Sequence, residues 1–144
     1  MVLVSEQTAL RAIDLLSAVE GIEMDPHALA DDVVPLAVAF SDESDFKCAV
    51  ASTCKELQRI VAGKTTDAPL KYSYEGWFSH HYQHRKSQGQ TADMRIVYAR
   101  HCDVVRVRGF GHRHLPFDIY DRLAEGDPWR NPFDACGEGE NDPA

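Results

Sequence analysis

Hydrophobic and polar positions change their period near residue 70. Upstream, apolar residues recur every three or four positions. Leu10, Ile13, Leu16 and Val19 share one face of a helix predicted over 5–20, with Gly21 as its terminator. Pro26 at a first helical position, after Asp25 as cap, predicts a second helix. Pro35 divides the apolar run 33–40, which is therefore expected as a short helix or an extended segment and not as a long helix. Residues 41–45, SDESD, supply caps for the strongest helix of the chain. Its stripe is Phe46, Val50, Cys54, Leu57 and Val61, and Gly63 ends it before a polar loop over 64–69.

Downstream, short segments alternate: LKYSY, WFSHHYQ, MRIVYAR and VVRVRGF. Alternation puts every second side chain of a strand on one face. Ile96 and Tyr98 then share a face, with Arg95, Val97 and Ala99 opposite; Val105 and Val107 share a face, with Arg106 and Arg108 opposite. Glu75–Gly76 and residues 101–103 fit hairpin turns, and 85–92 reads as a longer polar loop. Residues 117–123 are expected as a last strand or helix. The fold class is therefore α+β, with N-terminal helices packed on a small antiparallel β-sheet of three to five strands. Three parts are expected: a helical N-terminal extension over 1–45, a main domain over 46–123 and a flexible acidic tail over 124–144, rich in Pro and Gly.

Charge divides along the same lines. Residues 1–45 hold 10 acidic and 1 basic side chains, residues 46–120 hold 12 basic and 6 acidic, and residues 121–144 hold 7 acidic and 2 basic, for a net charge of −8. A basic body between acidic ends suits a polyanion-binding surface that its own flanks repel or mask. No apolar run approaches the roughly 20 residues that span a bilayer, and the first residues lack the charged and apolar regions of a signal peptide. No membrane association and a cytoplasmic location are the expectation. Cys48, Cys54, Cys102 and Cys136 show no paired or zinc-ligand spacing and read as reduced structural thiols. His80, Tyr82 and His84 alternate on one strand face, but no carboxylate or thiolate spacing supports a metal site, so neither metal nor cofactor is expected.

The chemistry concentrates in 93–120, DMRIVYARHCDVVRVRGFGHRHLPFDIY. Arginine and histidine at alternating strand positions suit gripping and cleaving a phosphodiester: arginine offers a planar donor fork, histidine titrates near neutrality. Four motifs occur in order: Leu70–Lys71, then Gly76–Trp77–Phe78–Ser79, then Arg95–Ile96–Val97–Tyr98, then Gly111–His112–Arg113–His114. This ordered set resembles the RelE/ParE superfamily of bacterial toxins, at its YoeB/Txe-like end, over about half of the chain.

The resemblance implies a type II toxin: a compact endoribonuclease that needs no metal, cuts mRNA in the ribosomal A site and is held inactive by a cognate antitoxin protein. It implies catalytic roles for Arg95, for His112 or His114, for Lys71 near the substrate path, and for Tyr120. Arg85, Lys86, Arg106, Arg108 and Arg113 are the expected RNA-binding cations, and Arg95, His112 and His114 are expected around one pocket. Ala68 stands where such toxins carry a glutamate, with Asp67 beside it. Three function classes follow: a ribonuclease toxin, a ParE-like toxin acting by protein binding, and a catalytically silent binding or regulatory module. A homodimer contact is one role considered for residues 1–45, masking of the RNA face another.

Overall fold

The computed structural model of the chain describes residues 4–101 and 103–125. In chain order the elements are α1 (Glu6–Ser17), β1 (Ile22–Glu23), α2 (Pro26–Ala39), α3 (Glu43–Val61) and β2 (Ala68–Pro69). There follow a 3₁₀ turn (Tyr72–Tyr74), β3 (Phe78–Tyr82), β4 (Met94–His101), β5 (Val104–His112) and α4 (Ile119–Glu125). The protein is α+β, with one sheet in the order β1-β5-β4-β3-β2. β2 through β5 pair antiparallel; β1 adds to β5 in parallel. That parallel edge was not anticipated. It comes from residues 22–23, within the segment read as an N-terminal extension. The tail beyond 125 lies outside the described residues.

Caps set the helix starts. The Asp25 side chain accepts from the amides of His27 and Ala28, and that of Asp42 accepts from the amide of Asp45, each satisfying donors the first turn leaves free. α2 corrects the reading of Pro35: the helix runs through it for 14 residues. Proline removes the bond to the carbonyl of Asp31, but Asp31 is exposed, so that acceptor is not buried without a donor. Burial of Leu29, Val33 and Leu36 holds the helix together across the break.

The sheet carries a core on each face. On one, Ile96, Tyr98, Val105, Val107 and Phe110 pack with Leu16, Leu36, Phe46, Leu57 and Ile60 from α1, α2 and α3. On the other, Val97 and Ala99 meet Tyr74, Trp77, Ile119 and Leu123, so α4 and the 70–77 loop cover that side. Full burial of side chains of this size contributes about 1.5–3 kcal/mol each. A β-bulge joins the two cores: Val97 pairs with Gly109 and Tyr98 with Val107, leaving Arg108 as the extra residue. Strict alternation would put Phe110 on the arginine face; the bulge returns it to the helical core.

Two further expectations change. Leu10 is 56% exposed, and the inner face of α1 is formed by Ala12 and Leu16. Residues 70–74 are not a strand. Tyr72 takes a left-handed φ of 59°, and Gly76 one of 93°, so the chain folds over the sheet and closes with the amide of Leu70 on the carbonyl of Trp77. No described helix is long and apolar enough to cross a membrane.

Candidate functional site

Arg95 sits on β4 on the α4 side of the sheet. His81 opposes it across the β3 pair and Gly111 across the β5 pair. Directly opposed residues share a face, so the Arg95 and His81 side chains lie together, and Gly111 adds no bulk beside them. Arg95 is 6% exposed. Its Nη1 donates to the carbonyls of Ala92 and Met94 at 3.0 and 2.9 Å, and its Nε has no acceptor. Among the described residues no carboxylate pairs with it. A buried cation without a counter-charge is costly, and a bound anion would offset that cost. Burial holds the guanidinium below its ordinary range; the Tyr120 hydroxyl and, more weakly, the Asp93 carboxylate act the other way, and Arg113 adds to the lowering.

Arg113 and Tyr120 close the site from the β5–α4 connection. The amide of Arg113 donates to the Asp93 carbonyl at 2.9 Å, and its guanidinium lies 5.5 Å from the centre of the Tyr120 ring. Its Nε stands 3.9 Å from an Asp118 oxygen. The Tyr120 hydroxyl shares a 2.6 Å hydrogen bond with Ser79 Oγ. Its ring meets Tyr74 edge-on at 5.9 Å, and the Tyr74 hydroxyl donates to its carbonyl. Ser79 thereby holds the Tyr120 hydroxyl, and Tyr74 holds its ring and backbone. Burial lowers the His81 imidazole below its ordinary range, with Arg95, Arg113 and His80 acting the same way, so it stays neutral further into acid.

The structure brings Arg95, Arg113 and Tyr120 together but sends His112 elsewhere. His112 opposes Met94 in the sheet and packs 5.7 Å from Phe40, on the helical side. Its Nδ1 accepts from the amides of His114 and Leu115, both at 3.0 Å. Neighbouring strand positions face opposite ways, so the expected pocket of Arg95 with His112 does not form. His114 is exposed on the following turn, 6.3 Å from His112 ring to ring. Lys71 is exposed before the 3₁₀ turn, beside Tyr72 at 92% exposure.

The expected RNA-binding cations divide too. Lys86 is exposed. Arg85 is exposed but held by Asp45 at 2.8 Å and Ser44 at 3.0 Å, at the start of α3. Arg106 and Arg108 are corrected: both are buried. Arg106 pairs with Glu23 at 2.6 Å, tying β1 to β5. Arg108 lies over Tyr74 and Trp77, 4.4 and 5.4 Å from the ring centres. What sets them apart from Arg95 is their partners: the Arg106 guanidinium is taken by the Glu23 carboxylate and that of Arg108 is covered by two aromatic rings. Alternation gave their side of the sheet but not the α4 and 70–77 cover that closes over it.

A second polar network lies behind the site. His80 bonds Asp67 through Nδ1 and Glu56 through Nε2, both at 2.7 Å. Arg59 donates to Glu56 at 2.7 Å, and Tyr98 and Thr65 donate to Asp67 at 2.5 and 2.9 Å. Burial works to raise the Asp67 carboxyl, but the bonds from Tyr98, His80 and Thr65 outweigh it and hold it below its usual range. Asp67 is thus engaged in joining the 64–69 loop to β3 and β4. Cys48 and Cys54 are free, half-buried thiols; Cys102 and Cys136 lie outside the described residues. Among those described, no three His, Cys, Asp or Glu side chains are placed to hold a metal ion.

No protein-family model matches the chain, and neither a curated protein nor a solved structure gives a significant match.

Proposed function

We propose that this protein is an RNA-binding endoribonuclease of the RelE/ParE toxin type, with mRNA as its substrate. The observation that carries the reading is Arg95: a buried arginine that no carboxylate pairs with among the described residues, beside Arg113 and two fixed hydroxyls. The two guanidinium groups would take the phosphate oxygens and offset the charge that grows on the pentavalent phosphate. Tyr120 would hold its hydroxyl toward the same oxygens. RNA itself supplies the nucleophile, its 2′-hydroxyl, so the reaction needs a proton acceptor, a proton donor and charge stabilisation. Lys71 and Tyr72, exposed on the loop over this face, would meet the strand beyond the scissile phosphate. An antitoxin chain would act by covering the site, the ribosome would present the mRNA, and the cytoplasm would be the place of action.

A catalytically silent RNA-binding module is the second reading. It is favoured by the separation of His112 from Arg95, which leaves the arginine face with few imidazoles. Incubating the purified chain with mRNA, alone in a chelator and with ribosomes in magnesium buffer, separates the two. Discrete cleavage supports the enzyme; retention of RNA without cleavage supports the silent module; neither binding nor cleavage ends both.

A further inference from the structure

β2 covers β3 only at Phe78 and Ser79, so the outer edge of residues 80–82 has no strand beside it. Two clefts occupy that edge. One, of about 490 Å³, lies between α3 and the 83–92 loop, with Lys55, Arg59, His81 and Lys86 among its walls. The other, of about 420 Å³, lies toward the 64–69 loop, with Arg59, Lys64 and His81. Each falls within the roughly 300–1,000 Å³ of pockets that hold small-molecule groups. The two share Arg59 and His81, so they meet at the imidazole that opposes Arg95.

The carboxylates in these walls are already committed. Glu56 is bonded by His80 and Arg59, and Asp67 by His80, Tyr98 and Thr65. Lys55, Lys64 and Lys86 are exposed, and no described carboxylate pairs with any of them. A line of cations broken by one histidine, with its acids already hydrogen-bonded to the protein, matches a chain of phosphates. Gln83, Ser87 and Gln90 offer uncharged hydrogen-bonding groups on the loop side, suited to bases and sugars.

We propose that single-stranded RNA runs through these two clefts and sets one phosphate between His81 and Arg95. His81, and not a histidine of the 112–114 segment, is then the imidazole that faces the reacting phosphate. As base it takes the 2′-hydroxyl proton while the oxygen attacks phosphorus. As the P–O5′ bond breaks, a proton must reach the leaving oxygen, and Tyr120 stands on the same face to supply it. This rests on the ribonuclease reading for its chemistry, but the path of the strand does not.

The test uses the full chain, a short oligouridylate and mRNA. Titration with the oligouridylate should shift the imidazole resonances of His81 and leave those of His27 unmoved. The double variant Lys55→Glu and Lys86→Glu should bind it more weakly and with a shallower salt dependence. The loss in slope should be about 1.4 when two phosphate contacts of a single strand are removed. Lys47→Glu, a single charge reversal near the start of α3, should leave the slope unchanged. Against mRNA, His81→Gln should cut the rate at least about 100-fold, as loss of an acid–base group does, with affinity kept and the limb of the pH–rate profile set by an imidazole removed. An unmoved His81 resonance, or an unchanged salt slope in the double variant, overturns the proposed path. Cleavage by His81→Gln at the original rate overturns the catalytic assignment. If the unaltered chain binds but never cleaves, the ribonuclease reading fails, while the resonance and salt-slope results still decide the path.

Discussion

Asp32 and Arg122 meet across the outer edge of β5 and between them take both backbone groups of Phe110. The Asp32 carboxylate accepts from the Phe110 amide at 3.3 Å, Arg122 Nη2 donates to the Phe110 carbonyl at 3.0 Å, and Arg122 Nη1 closes on Asp32. β1 pairs with β5 only at Val105 and Arg106, so from there on an ion pair from two helices does what a strand would do. It also locks α4, which carries Tyr120, to α2.

Removing one partner should therefore unfasten α4. Arg122→Met leaves Asp32, 1% exposed, without its counter-charge. Breaking a buried pair costs about 3–5 kcal/mol. Urea unfolding should show that loss at pH 8. The loss should be smaller at pH 5, where Asp32 can take a proton. An equal loss at both values would show that the pair is not what stabilises this edge.

Asp32 also predicts how stability follows pH. Burial pushes its carboxyl from 3.8 up to about 7, against the pull of Arg122. Between those values the folded chain holds a proton that the unfolded chain has lost. The Asp32 contribution to stability is therefore fully present below about pH 4 and falls as pH rises through 7. Asp32→Asn should remove that component. A wild-type minus Asp32→Asn difference that grows in favour of wild type from pH 4 to 7 would contradict it.

Tyr72 separates folding from binding. Its φ of 59° is disfavoured for any side chain, yet it is 92% exposed and buries almost nothing. Left-handed backbone costs a non-glycine residue about 1–2 kcal/mol. On the RNA-binding reading, that strain holds the ring out to stack on a base. Tyr72→Gly should be as stable as wild type, or up to about 1 kcal/mol more stable, while binding oligouridylate more weakly. Equal affinity would remove Tyr72 from the RNA surface.

The order of elements was legible because caps and periodicity agree: Asp25 and Pro26 open α2, Asp42 opens α3, and β4 and the first half of β5 alternate. What escaped depends on partners far away in sequence. Pro35 looks like a break until the burial of Leu29, Val33 and Leu36 overrides it. The Leu70–Tyr74 segment has strand composition, but Trp77 draws it into a loop over the second core. The site was half legible. Arg95, Arg113 and Tyr120 were named and do converge, whereas Arg106 and Arg108 look identical in sequence and differ only in what covers them. His81 was missed because its partnership with Arg95 depends on the β3–β4 register, which a long intervening loop does not set. His112 was misplaced because the bulge at Arg108, which alternation does not announce, turns it with Phe110 to the helical face.

Arg95→Met tests the central claim most directly, by measuring urea stability and RNA affinity on the same sample. Methionine keeps the apolar stem and removes a buried charge that no carboxylate among the described residues pairs with. The prediction is a variant at least as stable as wild type, with oligouridylate affinity reduced about tenfold or more, the value of about 1.4 kcal/mol or more of binding free energy and within the range of a charged hydrogen bond. A variant that loses several kcal/mol of stability, as one with a broken buried pair does, and binds RNA as before would show that Arg95 belongs to the fold and not to a phosphate site.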